Sequence, residues 1–202
     1  MKNMFFIIPL FAIISCGSLD EITKIDNYDN PQKALLVIDM QIDYIDENGK
    51  FPIEKNQINS LIETVNNIIG DFHDDNYQII YIRRLFRKND IQNIFRNFAV
   101  VEGTAGAEID PRINILSDNI FDKYTPSAFS NKRFENFLIK NQINELYVCG
   151  VMADECVYET ALSAFNSGYI VNYCANAVGS SSVKNIENAI GKLRKKGINI
   201  IE

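Results

Sequence analysis

The amino-acid sequence predicts an α/β protein: a three-layer, doubly wound sheet of about six parallel strands with helices on both faces. Three observations carry this expectation. Residues 34–38 (ALLVI) form an unbroken aliphatic run, as in a parallel strand covered on both faces. Strand-like runs then alternate with helical-period segments to residue 201, and right-handed crossovers place such helices on both sides of one sheet. Finally, Asp39, Lys123 and Cys156 all fall at or just past strand ends, where open parallel sheets bind ligands.

The chain opens with Lys2 and an apolar run from Met4 to Ile14, too short to span a bilayer but suited to the core of a signal peptide. Ile13-Ile14-Ser15-Cys16 resembles a bacterial lipobox, in which cleavage precedes a cysteine that becomes lipid-modified. A plain secretory signal cut near the same place is the alternative, and either implies export. The expected organisation is a lipoprotein signal over 1–15, a polar linker over 16–32 and one domain over 33–202. The membrane then enters only through a lipid anchor on Cys16.

After the first strand, residues 43–51 contain Asn48-Gly49 and read as a loop. Ile58, Leu61, Ile62, Val65, Ile68 and Ile69 follow helical spacing. Residues 77–82 (YQIIYI) read as a second strand, and 120–123 (IFDK) as a short third. Between them, residues 87–111 carry no long period and read as an active-site lid. Residues 132–140 predict a short helix and 145–151 a fourth strand. A helix over 157–165 ends at Gly168, a fitting C-cap. A fifth strand (169–173), a helix over 183–196 stopped by Gly197, and a sixth strand (198–201) complete the pattern.

Composition excludes several functions. A net charge of -6 with no basic cluster argues against nucleic-acid binding. The single histidine, His73, lies in an acidic turn, so a Ser-His-Asp triad or histidine-based metal site has no support. Without Cys16, the odd set Cys149, Cys156 and Cys174 implies at least one free thiol. Cys149 and Cys174 sit in apolar runs and read as packing residues. Cys156 falls in the first turn of a helix, where unpaired N–H groups and the dipole favour a thiolate.

Four stretches now stand in order: ALLVIDMQIDY (34–44), EGTAGAEI (102–109), FDKYTPSAF (121–129) and CGVMADECV (149–157). Together they resemble the isochorismatase-like cysteine hydrolases, the superfamily of nicotinamidases and N-carbamoylsarcosine amidase. The resemblance implies a triad of Asp39, Lys123 and Cys156. It also implies a cis peptide between Val151 and Met152, with the Met152 and Cys156 N–H groups forming an oxyanion hole. By motif position, Tyr44, Thr104 and Phe129 are pocket candidates. The expected reaction is hydrolysis of a non-peptide C–N bond of a small-molecule amide or carbamoyl compound through a thioester, with no cofactor. A homo-oligomer is a further expectation from the family.

Two departures from the family pattern stand out. Ala153 occupies a position where the family usually carries threonine or serine. The stretch after the second strand reads Arg83-Arg84-Leu85-Phe86-Arg87, where nicotinamidases carry an Asp-x-His metal motif, so no metal is expected. These arginines read as a solvated basic loop, with contact to an anionic substrate as the alternative. The competing readings for the whole chain are a vinyl-ether hydrolase of the isochorismatase type, which needs no thiol, and a non-catalytic binding lipoprotein on the same fold.

Overall fold

The structure is a computed structural model that describes residue 25 and residues 28–202, so Cys16 and the signal segment lie outside the described residues. Its centre is a six-stranded sheet in the order β3-β2-β1-β4-β5-β6, every pairing being parallel. The strands are β1 (Gln32–Ile38), β2 (Gln78–Arg84), β3 (Ile120–Lys123), β4 (Ile143–Val151), β5 (Ile170–Gly179) and β6 (Asn199–Ile201). The helices are α1 (Ile42–Ile45), α2 (Ile58–Asp74), α3 (Lys132–Lys140), α4 (Cys156–Asn166) and α5 (Val183–Lys196).

Alternation along β1 divides the core. Ala34, Leu36 and Ile38 face one layer with Phe134 and Leu138 of α3, Val157 and Ala161 of α4, and Leu193 of α5. Leu35 and Val37 face the other, against Leu61, Ile62, Val65 and Ile69 of α2. Burying such a side chain contributes roughly 1.5–3 kcal/mol each, which is why the central strand carries no polar residue between Ala34 and Ile38. The helices end as their residues dictate. Asn131 accepts from the N–H groups of Arg133 and Phe134 to start α3, and Gly197 at φ 91 stops α5 after a basic last turn.

The structure differs from the sequence expectation in three places. The stretch after β1 read as a loop opens with the short helix α1. Strand β5 runs on to Gly179, because a register shift between Val148 and Gly150 re-engages Val178 and Gly179 with β4. The segment over 87–111 is folded rather than free, with 3-10 turns at Ile91–Arg96 and Ala105–Ala107. Strands β1 and β4 approach closely at Gly150, where φ is 114 and a Cβ would collide with the Ile38 carbonyl. That close approach is at the switch point, since the chain leaves β1 toward β2 on one side and reaches β4 on the other.

Candidate active site

The carboxyl ends of β1, β3 and β4 converge on one buried cluster. Asp39 follows β1 with a left-handed backbone, φ 55, that an aspartate tolerates better than a β-branched residue. Its N–H donates to the Ile82 carbonyl (2.8 Å) and its carbonyl accepts from Gln41 N–H (2.7 Å). Lys123 closes β3 and its Nζ donates to Asp39 Oδ2 at 2.7 Å, both side chains being fully buried. The other carboxylate oxygen, Oδ1, is buried without a hydrogen-bond partner. A carboxylate with one oxygen held by a cation and one left open is arranged to accept a proton.

Cys156 is the first residue of α4, and only 7 % of it is exposed. The peptide between Val151 and Met152 is cis. Among the described residues, neither the Met152 nor the Cys156 N–H donates to a protein group. The turn carrying them is held by the Ala153 N–H on the Gly179 carbonyl (2.8 Å) and by the Tyr173 hydroxyl on the Ala153 carbonyl (3.0 Å). Ala153 is itself wholly buried in the core, so backbone and Tyr173 hold this turn without a side-chain hydroxyl at 153.

Burial works against the resting thiolate that the helix start favours. Burial first, and then the Asp39 charge, push the Cys156 thiol up to about 12, outweighing the pull of Lys123. Burial likewise raises the Asp39 carboxyl, with Lys123, the neighbouring Cys156 thiol and then Arg84 acting against it. The helix terminus favours an anion only where the site is not desolvated this strongly. Alkylation by iodoacetamide at pH 7–8 is therefore expected to label Cys156 more slowly than an ordinary thiol, with a rate that is still rising at the most alkaline pH the fold tolerates. Fast labelling near neutrality, mapped to Cys156 by peptide mass, would show that the thiolate is populated at rest. Cys149 and Cys174 are free and buried, as packing residues.

Above the cluster lies a cavity of about 190 Å³. Asp39, Cys156 and Met152 are at its reactive wall, Tyr44, Phe51, Phe86 and Phe95 supply aromatic walls, and Arg96, Ala99 and Glu155 complete it. Tyr44 is thus in the wall, but two other pocket candidates are not. Phe129 packs edge-on against Phe134 at 5.3 Å and tilted against Tyr169 at 5.6 Å, half-buried at the margin of the core. Thr104 turns its hydroxyl to the Val101 carbonyl (2.7 Å), closing a turn.

Sequence reading passed over the residues that shape this cavity. Asp43 accepts from Val100 N–H (2.8 Å), and Lys50 Nζ donates to the Phe98 carbonyl (3.1 Å). These bonds tie the 42–51 and 95–103 stretches together, with Asn97, Phe98 and Val100 all left-handed at φ 51, 54 and 43. Phe51 and Phe95 are brought to the cavity by this tie. Gln41 is buried and bonds both backbone groups of Arg84 as well as the Ala107 carbonyl. Only a side chain with both a donor and an acceptor can do this, which was the available signal at position 41.

The basic stretch over 83–87 is not a solvated loop throughout, since Arg83 and Arg84 belong to β2. Arg83 pairs with Glu108 and Asp122, each at 2.7 Å, and Arg87 lies over the Tyr124 ring, but Arg84 is buried. This stretch does not fit a divalent cation, because it offers guanidinium groups and the Phe86 ring where a metal needs oxygen or nitrogen lone pairs. Among the described residues, no group of three or more His, Cys, Asp or Glu side chains could hold a metal.

The sheet order and the buried cluster at its switch point define a three-layer α/β enzyme. The isochorismatase domain model matches residues 33–202, and the chain belongs to the isochorismatase family of hydrolases. It is 27 % identical over 158 residues to the isochorismatase family protein YddQ of Bacillus subtilis, covering 78 % of this chain and 82 % of that one. The structure of nicotinamidase PncA from Bacillus subtilis is similar at a TM-score of 0.77 and 25 % identity, over 85 % of this chain and 100 % of that one. Pyrazinamidase of Pyrococcus horikoshii, solved in complex with zinc, gives 0.76 and 28 %, over 85 % and 99 %.

Proposed function

We propose that this protein hydrolyses a non-peptide C–N bond of a small amide or carbamoyl compound through a thioester on Cys156. The observation that carries the reading is the buried Asp39–Lys123 pair beside Cys156, with Asp39 Oδ1 unpartnered. The amidase relatives agree with it in reaction class. In the proposed cycle, Oδ1 takes the thiol proton as sulfur bonds to the substrate carbonyl carbon, so thiolate forms only as it reacts. The Met152 and Cys156 N–H groups donate to the developing oxyanion. The C–N bond breaks, the nitrogen takes the proton from Asp39, and ammonia or an amine leaves. Water then adds to the thioester, giving its proton to Asp39, and collapse releases the acid and restores the thiol.

Lys123 works against the burial that raises the Asp39 carboxyl and so favours its anionic form. In the same reading the protein is exported and tethered through a lipid on Cys16, a residue outside those described, so its substrate is extracytoplasmic.

The test is a panel of small primary amides and carbamoyl compounds, read by ammonia release, with rapid acid quench and intact mass. The expected result is ammonia release by one or more of them, with a mass increase equal to the acyl group, mapped to Cys156. Hydrolysis with no acyl adduct at any quench time would argue for direct attack by water.

A further inference from the structure

Phe95 lines the cavity beside Cys156 and is nevertheless 87 % exposed. Phe51, on the same wall, is 47 % exposed, so the cavity meets solvent at these two rings. The apolar surface does not stop there. Ile91, Ile94 and Phe98 are 78 %, 65 % and 50 % exposed. Ile91 and Ile94 stand on one edge of the 3-10 turn Ile91–Arg96, and Ile94 adjoins Phe95. Single exposed apolar residues need no account, but a cluster at a cavity mouth marks a binding surface.

The segment that presents these side chains is anchored at both ends. Asn93 is buried with its amide on the Arg87 carbonyl (2.9 Å), the Asn97 amide donates to the Lys50 carbonyl (3.2 Å), and Ala99 and Val100 are buried. The charged groups beside the strip call for no ionic ligand. Arg96 is held by Asp90 (3.1 Å) and Gln92 (2.6 Å), and Glu155 on the cavity wall is exposed and would repel an anion. The cavity itself, about 190 Å³, holds roughly six groups the size of a water molecule, enough for an amide head and about four carbons. A longer chain must leave across Phe51 and Phe95. A partner protein seated on the strip would instead cover the mouth through which substrate enters.

We propose that the strip of Phe51, Ile94, Phe95 and Phe98 is a subsite for an unbranched alkyl chain, and that the substrate is a fatty primary amide whose chain is longer than the cavity can hold. Sulfur then bonds to the acyl carbon, the C–N bond breaks and ammonia leaves. Water releases the free fatty acid and restores the thiol. The reaction half of this inference rests on the proposed amide hydrolysis, while the binding half does not.

The test is the series acetamide, butyramide, hexanamide and octanamide, read as kcat/KM by ammonia release from the full chain. Each methylene beyond butyramide is expected to raise kcat/KM by about 2- to 4-fold, as it leaves water for the apolar strip. Phe95→Ser combined with Phe98→Ser should cut the octanamide-to-butyramide ratio to less than about 3-fold, while Phe95→Leu, which keeps apolar area, should retain most of it. Calorimetric titration of the full chain carrying Cys156→Ala, with octanamide and butyramide, supplies a readout independent of turnover. Tighter binding of octanamide there, lost when the two serines are added, without hydrolysis of any amide, would uphold the subsite and reject amide hydrolysis. Hydrolysis with no gain beyond butyramide, or with a gain that the serine variant leaves intact, would overturn the subsite and keep amide hydrolysis. Light scattering that finds dimers of the parent and monomers of the serine variant, with the chain-length gain unchanged, would make the strip an interface between copies and overturn the inference as well.

Discussion

Replacing Cys156 by alanine is expected to lower kcat/KM for amide hydrolysis by about 10⁴-fold or more, since removal of a nucleophile leaves only binding and the oxyanion donors. The protein should stay folded, because the sulfur lies at the edge of an existing cavity and its removal costs about 1 kcal/mol or less. Cys156→Ser keeps the volume but presents a far weaker acid to Asp39, and should be nearly as inactive. Ammonia release, thermal melting and intact mass after quench read these three expectations together, with no acyl adduct on the alanine variant. Full activity in Cys156→Ala would exclude the thioester. Proton transfer from Asp39 alone, as in vinyl-ether cleavage, would then become the mechanism to examine.

Lys123→Met has the largest expected effect on stability. The pair it breaks is 2.7 Å long with both side chains fully buried. Removing the cation leaves a buried carboxylate with both oxygens unsatisfied, at a cost of about 3–5 kcal/mol. The pH dependence has a definite sign. Burial raises the Asp39 carboxyl and Lys123 opposes it, so the variant's carboxyl lies higher still. A carboxyl with a raised folded-state pKa binds its proton more tightly folded than unfolded, so ionisation destabilises. The deficit of Lys123→Met is therefore fully present above that raised pKa and shrinks as pH falls through it. Urea unfolding at pH 8 and pH 5 should show the larger deficit at pH 8. The double variant Lys123→Met with Asp39→Asn should recover much of the loss while remaining inactive. A single variant as stable as the parent at pH 8 would mean that the pair is solvated or that Asp39 is already protonated.

The fold was largely legible because a parallel strand leaves few choices. A segment buried on both faces must be aliphatic throughout, as ALLVI is in β1, and a helix packed on such a sheet must show one apolar stripe, as α2 does. Asp39, Lys123 and Cys156 were legible for a related reason. Each is a polar or reactive residue set at or just past the end of a strand, and strand ends in a parallel sheet point to one edge. Their convergence into one buried cluster follows from strand order, which brings β3, β1 and β4 to that edge.

What lay beyond the sequence was set by contacts between distant residues. Nothing local distinguishes Arg84 from Arg83 and Arg87, yet Gln41, 43 positions earlier, fixes the backbone of Arg84 in the buried layer while Arg83 finds Glu108 and Asp122. Phe51 and Phe95 reach the cavity through bonds made by Asp43 and Lys50 to the segment over 97–100, and Phe129 is held against the core by Phe134 and Tyr169. The thiol's state is the clearest case. A helix start predicts an anion from neighbours along the chain, but desolvation depends on everything packed around Cys156, and with the Asp39 charge it pushes the thiol up despite the pull of Lys123. Periodicity and chemical type are properties of the chain taken in order. Burial, and the pairing or isolation of a charge, are properties of residues that meet only when it has folded.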